Sequence, residues 1–115
     1  MILIVGGMGS GKRAFACTRL GLGPEDLSNG CVDERPAVEH AEQLVHTLSP
    51  EEAARVLSGK RAVLMDEVGC GVVPLDAGER AWREDAGRLG CLLAEHAEAV
   101  VRMVCGLPQV IKGVL

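Results

Sequence analysis

The sequence predicts a three-layer α/β domain with a small, mostly parallel sheet and a C-terminal hairpin. Residues 1–5 form a continuous apolar run that breaks sharply into glycines, which is typical of a strand buried on both faces of a sheet. A second apolar run, residues 61–66, follows two segments with helical features, and this alternation favours parallel strands. With 115 residues the chain can bury one core, so we expect a single domain over residues 1–115.

The first half of the chain supplies one strand and two helices in this prediction. After the glycines a short helix is expected over residues 12–20, and Gly21 suits a left-handed cap at its C-terminus. Residues 21–35 carry turn-forming residues without a clear period and predict a loop. A second helix is predicted from apolar residues at helical spacing: Val38, Ala41, Leu44, Val45 and Leu48.

The middle of the chain gives the sharpest helix boundary. Ser49 is expected to cap a helix, because Pro50 and Glu52 follow at the positions that favour a helix start, and Gly59 closes the segment. The apolar run of residues 61–66 predicts the second strand. The glycine-rich residues 67–78 behind it predict an exposed loop.

The last part of the chain predicts a long helix and a hairpin. The helix begins near Asp76, whose side chain can cap it, and it carries one apolar stripe: Trp82, Ala86, Leu89, Leu93 and Ala97. Residues 99–105 and 109–115 predict two strands joined around residues 106–108.

Composition excludes several classes of function. Sixteen acidic residues against twelve Lys plus Arg give a net charge of −4, and the aromatic residues are Phe15 and Trp82. We expect no nucleic-acid partner, because such affinity comes from phosphate neutralisation and base stacking. No apolar run reaches the roughly 18–20 residues that span a bilayer, and the start does not resemble a signal peptide, so a cytoplasmic protein is expected. Five widely spaced cysteines without a C-x-x-C pair predict reduced thiols.

A glycine-rich loop between the first strand and the first helix carries the most specific chemical signal. It matches the first seven positions of the phosphate-binding pattern G-x-x-x-x-G-K-[ST]. Glycines let backbone N–H groups turn toward phosphate oxygens, and a lysine reaches the β and γ phosphates. The candidate nucleotide-binding residues are Gly6, Gly7, Met8, Gly9, Ser10, Gly11, Lys12 and Arg13. We refer to residues 6–13 as the phosphate loop.

The eighth position of this pattern departs from the rule. Arg13 stands where Ser or Thr would place a hydroxyl on Mg²⁺, and a guanidinium has no lone pair to offer a metal. Magnesium is therefore a doubtful cofactor.

Two alternative interpretations of the phosphate loop stay open. One is a tight strand-to-helix turn that binds nothing, and the other is a dinucleotide-binding fingerprint, whose glycine spacing fits less well.

Asp66 ends the second strand. A carboxylate at this position holds Mg²⁺ beside the phosphate loop in many nucleotide-binding proteins. Glu67 is the alternative ligand, and a solvated acid at the strand end is an equal interpretation. Lys12, Asp66 and Glu67 are the candidate catalytic residues. The three histidines are predicted to lie on helices in surface roles; they are His40, His46 and His96.

These motifs resemble the adenosylcobinamide kinase and adenosylcobinamide-phosphate guanylyltransferase family of cobalamin biosynthesis. Besides the phosphate loop, residues 67–74 resemble the family's E-V-G-x-G-[IV]-V-P motif. The R-x-x-R-D-x-x-G continuation is nearly in step at Arg80, Arg83, Asp85 and Gly87, and residues 106–113 resemble the terminal G-x-P-x-x-[IL]-K hairpin. The resemblance implies ATP or GTP as ligand, a corrinoid partner, kinase and transferase chemistry, and a homo-oligomer.

The departures from the family concern catalysis. The middle of the chain is shorter than in the family, and residues 31–36 echo its H-x-x-x-R-P with Cys31 in place of the histidine that accepts GMP. Gly90 and Cys91 replace the usual Asn-Gln. A nucleotide-binding protein without guanylyltransferase activity is expected. Retained kinase activity stays open, and the alternative is an inactive regulatory or structural domain with a relic loop.

Overall fold

The computed structural model describes residues 1–68 and 76–115, and its centre is a six-stranded sheet in the spatial order β2-β3-β4-β1-β5-β6. Neighbouring strands are parallel except for the antiparallel pair β5 and β6. The predicted α/β class with a mostly parallel sheet and a C-terminal hairpin is confirmed. The strands are β1 (Ile2–Gly6), β2 (Leu27–Asn29), β3 (Ala37–Glu39), β4 (Ala62–Asp66), β5 (Ala99–Val104) and β6 (Leu107–Lys112).

Helices cover both faces of this sheet. They are α1 (Lys12–Leu20), α2 (Pro50–Leu57) and α3 (Ala77–His96). Successive strand residues face opposite sides, so Leu3 packs with the core under α2 and α3 while Ile4 packs with Ala16 of α1. Both central strands alternate in this way, and the result is the predicted three-layer arrangement.

Three predicted helix ends are confirmed. The Ser49 side chain accepts a hydrogen bond from the backbone N–H of Glu52 at 3.2 Å, and that of Asp76 accepts from Glu79 N–H at 3.0 Å. Gly21 takes the left-handed conformation after α1, with φ of 67°. Short polar side chains thus satisfy N–H groups that the first helical turn leaves unpaired.

Two predictions for the first half of the chain are wrong. Residues 21–35 contain a 3₁₀ turn (Pro24–Asp26) and strand β2 within the predicted loop. The predicted second helix is instead strand β3 followed by a 3₁₀ helix (Ala41–His46). The apolar period identified the buried residues correctly, because Val38, Ala41 and Leu44 all enter the core under α2 and α3. A short strand and a 3₁₀ helix bury the same residues as an α-helix would.

The hairpin turns earlier than predicted. Cys105 and Gly106 both have positive φ, 50° and 77°, which matches the two-residue turn favoured between antiparallel strands. Strand β6 therefore starts at Leu107 and leaves Leu107 and Ile111 exposed at 70% and 60%. The predicted loop of residues 67–78 lies mostly outside the described residues, and its end already belongs to α3.

Within the described ranges, no helix combines the length and apolar character needed to cross a membrane. The cysteines in these ranges carry no disulfide; they are Cys17, Cys31, Cys91 and Cys105.

Candidate phosphate-binding site

The phosphate loop lies where the two central strands end. Parallel pairing of β1 with β4 sets Gly6 beside Asp66, so the first loop residue and the strand-end carboxylate are neighbours. A cavity of about 530 Å³ opens at this edge of the sheet. It is lined by the loop and by the ends of β2, β3 and β4: Met8, Gly9, Ser10, Gly11, Lys12, Arg13, Ala14, Asn29, Glu39, His40, Leu64 and Asp66.

Two glycines give the loop its shape. Gly9 and Gly11 have φ of 71° and 96°, in the region where a side chain is strained. Gly11 is also the N-cap of α1, and no side chain caps this helix. The first-turn N–H groups of α1 therefore stay available to an anion, and the helix dipole favours one.

The C-terminal hairpin supports the loop from behind. Gly106 N–H donates to the carbonyl of Ser10 at 2.9 Å. A Cβ at Gly11 would lie 3.2 Å from Gly106 Cα, and one at Gly6 would lie 2.8 Å from the Met103 carbonyl. The hairpin thus packs directly against the loop backbone.

The Lys12 side chain folds back onto its own loop. Its ammonium lies 2.7 Å from Asp66 Oδ1 and donates to the carbonyls of Gly6 at 3.1 Å and Gly7 at 2.8 Å. These three contacts match the three donors of an ammonium. Lys12 is therefore held beside the strand-end carboxylate at the floor of the cavity.

Arg13, the residue in the eighth loop position, points to the end of β3. Its Nε donates to Glu39 Oε2 at 2.8 Å and its Nη2 pairs with Glu39 Oε1, a two-pronged contact that raises the pKa of Arg13 further. The Glu39 side chain is 7% exposed, whereas that of Arg13 is 56% exposed. Glu39 thus gives the guanidinium a nearly buried carboxylate as its partner.

A second buried carboxylate supports Asp66. Glu42, in the 3₁₀ helix, is 2% exposed, and its Oε1 accepts the backbone N–H of Asp66 at 2.8 Å. Burial raises the pKa of Glu42, and the hydrogen bond from Asp66 opposes this shift. The Glu42 carbonyl accepts from the indole N–H of Trp82 at 2.9 Å, which links this position to α3.

His40 and Asn29 complete the wall on the β2–β3 side. The Nδ1 of His40 lies 2.8 Å from Asn29 Oδ1, and its Nε2 lies 3.9 Å from Asp66 Oδ2. Both residues stand at or just beyond the carboxyl ends of their parallel strands. The topology therefore brings them to the same edge as the loop.

Three carboxylates at this edge of the sheet contact cations of the protein. Asp66 meets Lys12, Glu39 meets Arg13, and Glu67 accepts from Arg102 Nε at 2.7 Å. Within residues 1–68 and 76–115, no group of three or more His, Cys, Asp or Glu side chains is arranged to hold a metal. The magnesium roles of Asp66 and Glu67 stay predictions.

The sequence predicted the loop and Asp66 but not the β2–β3 wall. The structure brings Lys12 and Asp66 together, whereas the Glu67 carboxylate faces Arg102 instead. His40 is not on a helix as predicted; it sits in a left-handed conformation between β3 and the 3₁₀ helix. Its neighbour Glu39 ends a three-residue strand, which is too short to leave a period-2 signal in the sequence.

This fold and loop define a phosphate-loop-type α/β protein. A family model described as cobinamide kinase / cobinamide phosphate guanyltransferase (CobU) matches residues 27–111, and the chain belongs to this family. The matched range contains Asn29, Glu39, His40, Glu42 and Asp66, and the phosphate loop precedes it.

A curated relative agrees with this family. The chain is similar to the bifunctional adenosylcobalamin biosynthesis protein CobP of Pseudomonas aeruginosa (strain PAO1), with 40% identity over 57 residues. The match covers 50% of this chain and 33% of that protein, so the chain spans about a third of the length of the relative.

Proposed function

We propose that the phosphate loop binds the polyphosphate of ATP or GTP and that the protein transfers a phosphoryl group to cobinamide without transferring GMP. One observation carries this proposal: Lys12 and the uncapped start of α1 face the same cavity as Asp66 at the carboxyl ends of β1 and β4. Open α/β sheets bind ligands at this edge. Membership of the cobinamide kinase family supports the choice of acceptor.

The charges of the cavity fit a phosphate ligand that replaces a protein carboxylate in each of two ion pairs. Lys12 and Arg13 each contact a carboxylate of the protein, Asp66 and Glu39. A polyphosphate can take over these cations and gain charge-assisted hydrogen bonds, while the α1 N–H groups bind further oxygens. Binding strength then depends on how easily each cation leaves its carboxylate.

Guanylyl transfer is left out of the proposal because of Cys31. This residue stands where the resemblance implies the histidine that accepts GMP, and a thiol does not form the labile phosphoramidate that a neutral ring nitrogen does. Cys31 is exposed and is not among the residues lining the cavity.

A calorimetric titration with ATP and with GTP, each with and without Mg²⁺, tests nucleotide binding. We expect saturable binding of at least one nucleotide, and cobinamide phosphate as the product when cobinamide is added, detected by mass spectrometry. No binding of either nucleotide at millimolar concentration would contradict the proposal. Incubation with GTP should leave Cys31 without a GMP adduct.

A second candidate is a nucleotide-binding subunit without turnover. The contact between Arg13 and Glu39 favours it, because a cation tied to a carboxylate occupies the position that supplies a metal-binding hydroxyl in working loops. Binding of ATP without any cobinamide phosphate, measured under single-turnover conditions, would select this candidate.

We also propose that β6 packs in a homo-oligomer. This strand is an edge of the sheet and exposes Leu107, Val110 and Ile111. Edge strands with exposed apolar residues favour association with another chain. Sedimentation velocity should reveal an oligomer that Ile111→Lys weakens, and a monomer at all concentrations would contradict this.

A further inference from the structure

His40 has a left-handed backbone conformation. Its φ of 53° and ψ of 44° lie in the left-handed region, which residues with a Cβ rarely adopt. Strain of this kind persists where the surroundings impose it and concentrates at functional sites. The conformation turns the chain from β3 into the 3₁₀ helix and leaves the imidazole at the cavity wall.

Asn29 presents a hydrogen-bond acceptor to one ring nitrogen of His40. The contact between His40 Nδ1 and Asn29 Oδ1 is 2.8 Å, and an amide oxygen accepts hydrogen bonds but cannot donate them. Nδ1 of the neutral ring is therefore the donor. The lone pair of that ring stays on Nε2, the nitrogen on the Asp66 side.

The groups around Nε2 decide what it can bind. Asp66 Oδ2 lies 3.9 Å away, and the nearly buried Glu42 follows two positions later in the 3₁₀ helix. The nearby cations, Lys12 and Arg13, contact Asp66 and Glu39. A lone pair beside carboxylates repels a phosphate oxygen but accepts a hydrogen bond from an uncharged donor such as a hydroxyl group.

We propose that Nε2 of His40 binds the hydroxyl group of the phosphoryl acceptor, and that Asn29 is the positioning residue that keeps this nitrogen an acceptor. This inference rests on the proposed kinase function and assigns the two substrates to different parts of one cavity. The nucleotide takes the loop and Lys12, and an alcohol takes the β2–β3 wall.

The tautomer can be measured without any substrate. Nitrogen-15 NMR of the imidazoles, assigned with His46→Gln and His96→Gln, should give His40 the shifts of a ring protonated at Nδ1. Asn29→Ala should move those shifts toward the free-solution mixture while leaving His46 and His96 unchanged. A His40 ring protonated at Nε2 in the unmodified protein would overturn the proposal.

Binding of the acceptor is measured separately from turnover. Equilibrium dialysis of cobinamide, with a saturating non-hydrolysable ATP analogue, should give about tenfold weaker binding in His40→Asn, the effect of losing roughly one hydrogen bond. Asparagine tolerates the left-handed conformation, so thermal unfolding and affinity for the analogue should stay unchanged. His96→Asn is the matched control, because this residue does not line the cavity.

The outcomes separate the two proposals. If the analogue binds but His40→Asn leaves cobinamide affinity unchanged, the role of His40 is wrong and the proposed function stands. If the unmodified protein binds the analogue but no cobinamide, the role of His40 and the proposed kinase activity are both wrong, and only nucleotide binding stands. A GMP adduct on His40 after incubation with GTP would also overturn it, since Nε2 would then attack phosphorus. If neither nucleotide nor analogue binds, the proposed function itself fails.

Discussion

The centre of the sheet and its β2–β3 side each give the cavity one carboxylate that pairs with a cation from the start of α1, but in different settings. At the centre, Asp66 of β4 holds Lys12, whose side chain is 10% exposed and makes three contacts. On the β2–β3 side, Glu39 of β3 holds Arg13, whose guanidinium lies mostly in solvent. The same pairing of charges therefore gives a buried, constrained cation and an exposed one that a ligand can recruit more easily.

The largest expected effect comes from the buried pair. Lys12→Ala should weaken nucleotide binding by about 1.5–3 kcal/mol, the usual contribution of a hydrogen bond to a charged group. Calorimetry with ATP measures this loss, and Lys112→Ala is the matched control because Lys112 contacts carbonyls of α3 instead. An unchanged dissociation constant in Lys12→Ala would place the phosphates elsewhere.

The next effect concerns Arg13 and the dependence of nucleotide affinity on magnesium. Arg13 supplies charge but no ligand, so nucleotide affinity of the unmodified protein should change little when Mg²⁺ is removed. Arg13→Ser introduces a hydroxyl and should make binding depend clearly on Mg²⁺, provided that the Asp66 or Glu67 carboxylate exchanges its present cation for the metal. Calorimetry with and without EDTA decides the matter. Tight binding that already requires Mg²⁺ in the unmodified protein would contradict this explanation of Arg13.

A double-mutant cycle on the Arg13–Glu39 pair comes third. Arg13→Ala leaves the Glu39 carboxylate nearly buried without its partner, so it should lower the free energy of unfolding. In a Glu39→Gln background the same change should cost less, because no charge is left uncompensated. Urea denaturation of the unmodified protein, the two single variants and the double variant gives the coupling free energy between Arg13 and Glu39. Equal costs in both backgrounds would mean that the pair contributes nothing to stability.

The smallest effect concerns Glu42, whose pKa is raised by burial. A raised native pKa means that this group's contribution to stability is present below its ordinary value of 4.5 and is lost as pH rises through the native value. Glu42→Gln keeps an oxygen for Asp66 N–H and removes the charge. Its stability relative to the unmodified protein should therefore increase between pH 4.5 and 8, measured by thermal unfolding, with exposed Glu52→Gln as control. A relative stability that falls over this range would show that the charged carboxylate is needed.

The same contrast explains how far the sequence could predict the molecule. The centre was predictable, because β1, α1 and β4 carry long apolar runs, glycines and caps that act locally. The β2–β3 side was not, because two strands of three residues leave little periodicity and their pairing is long-range. His40 was placed on a helix because residues 38–48 bury their apolar side chains at spacings that an α-helix would also give.

The contact between the hairpin and the phosphate loop sets an order of assembly. The amide of Gly106 that supports Ser10 lies 96 positions later in the chain, and β1 pairs with β4 and β5, both of which follow it. The loop is synthesised before this hairpin, so it lacks its supporting amide until the turn between β5 and β6 has been made. Contacts of such long range form slowly. The candidate phosphate-binding site is therefore completed only by contacts that span most of the residues between β1 and β6.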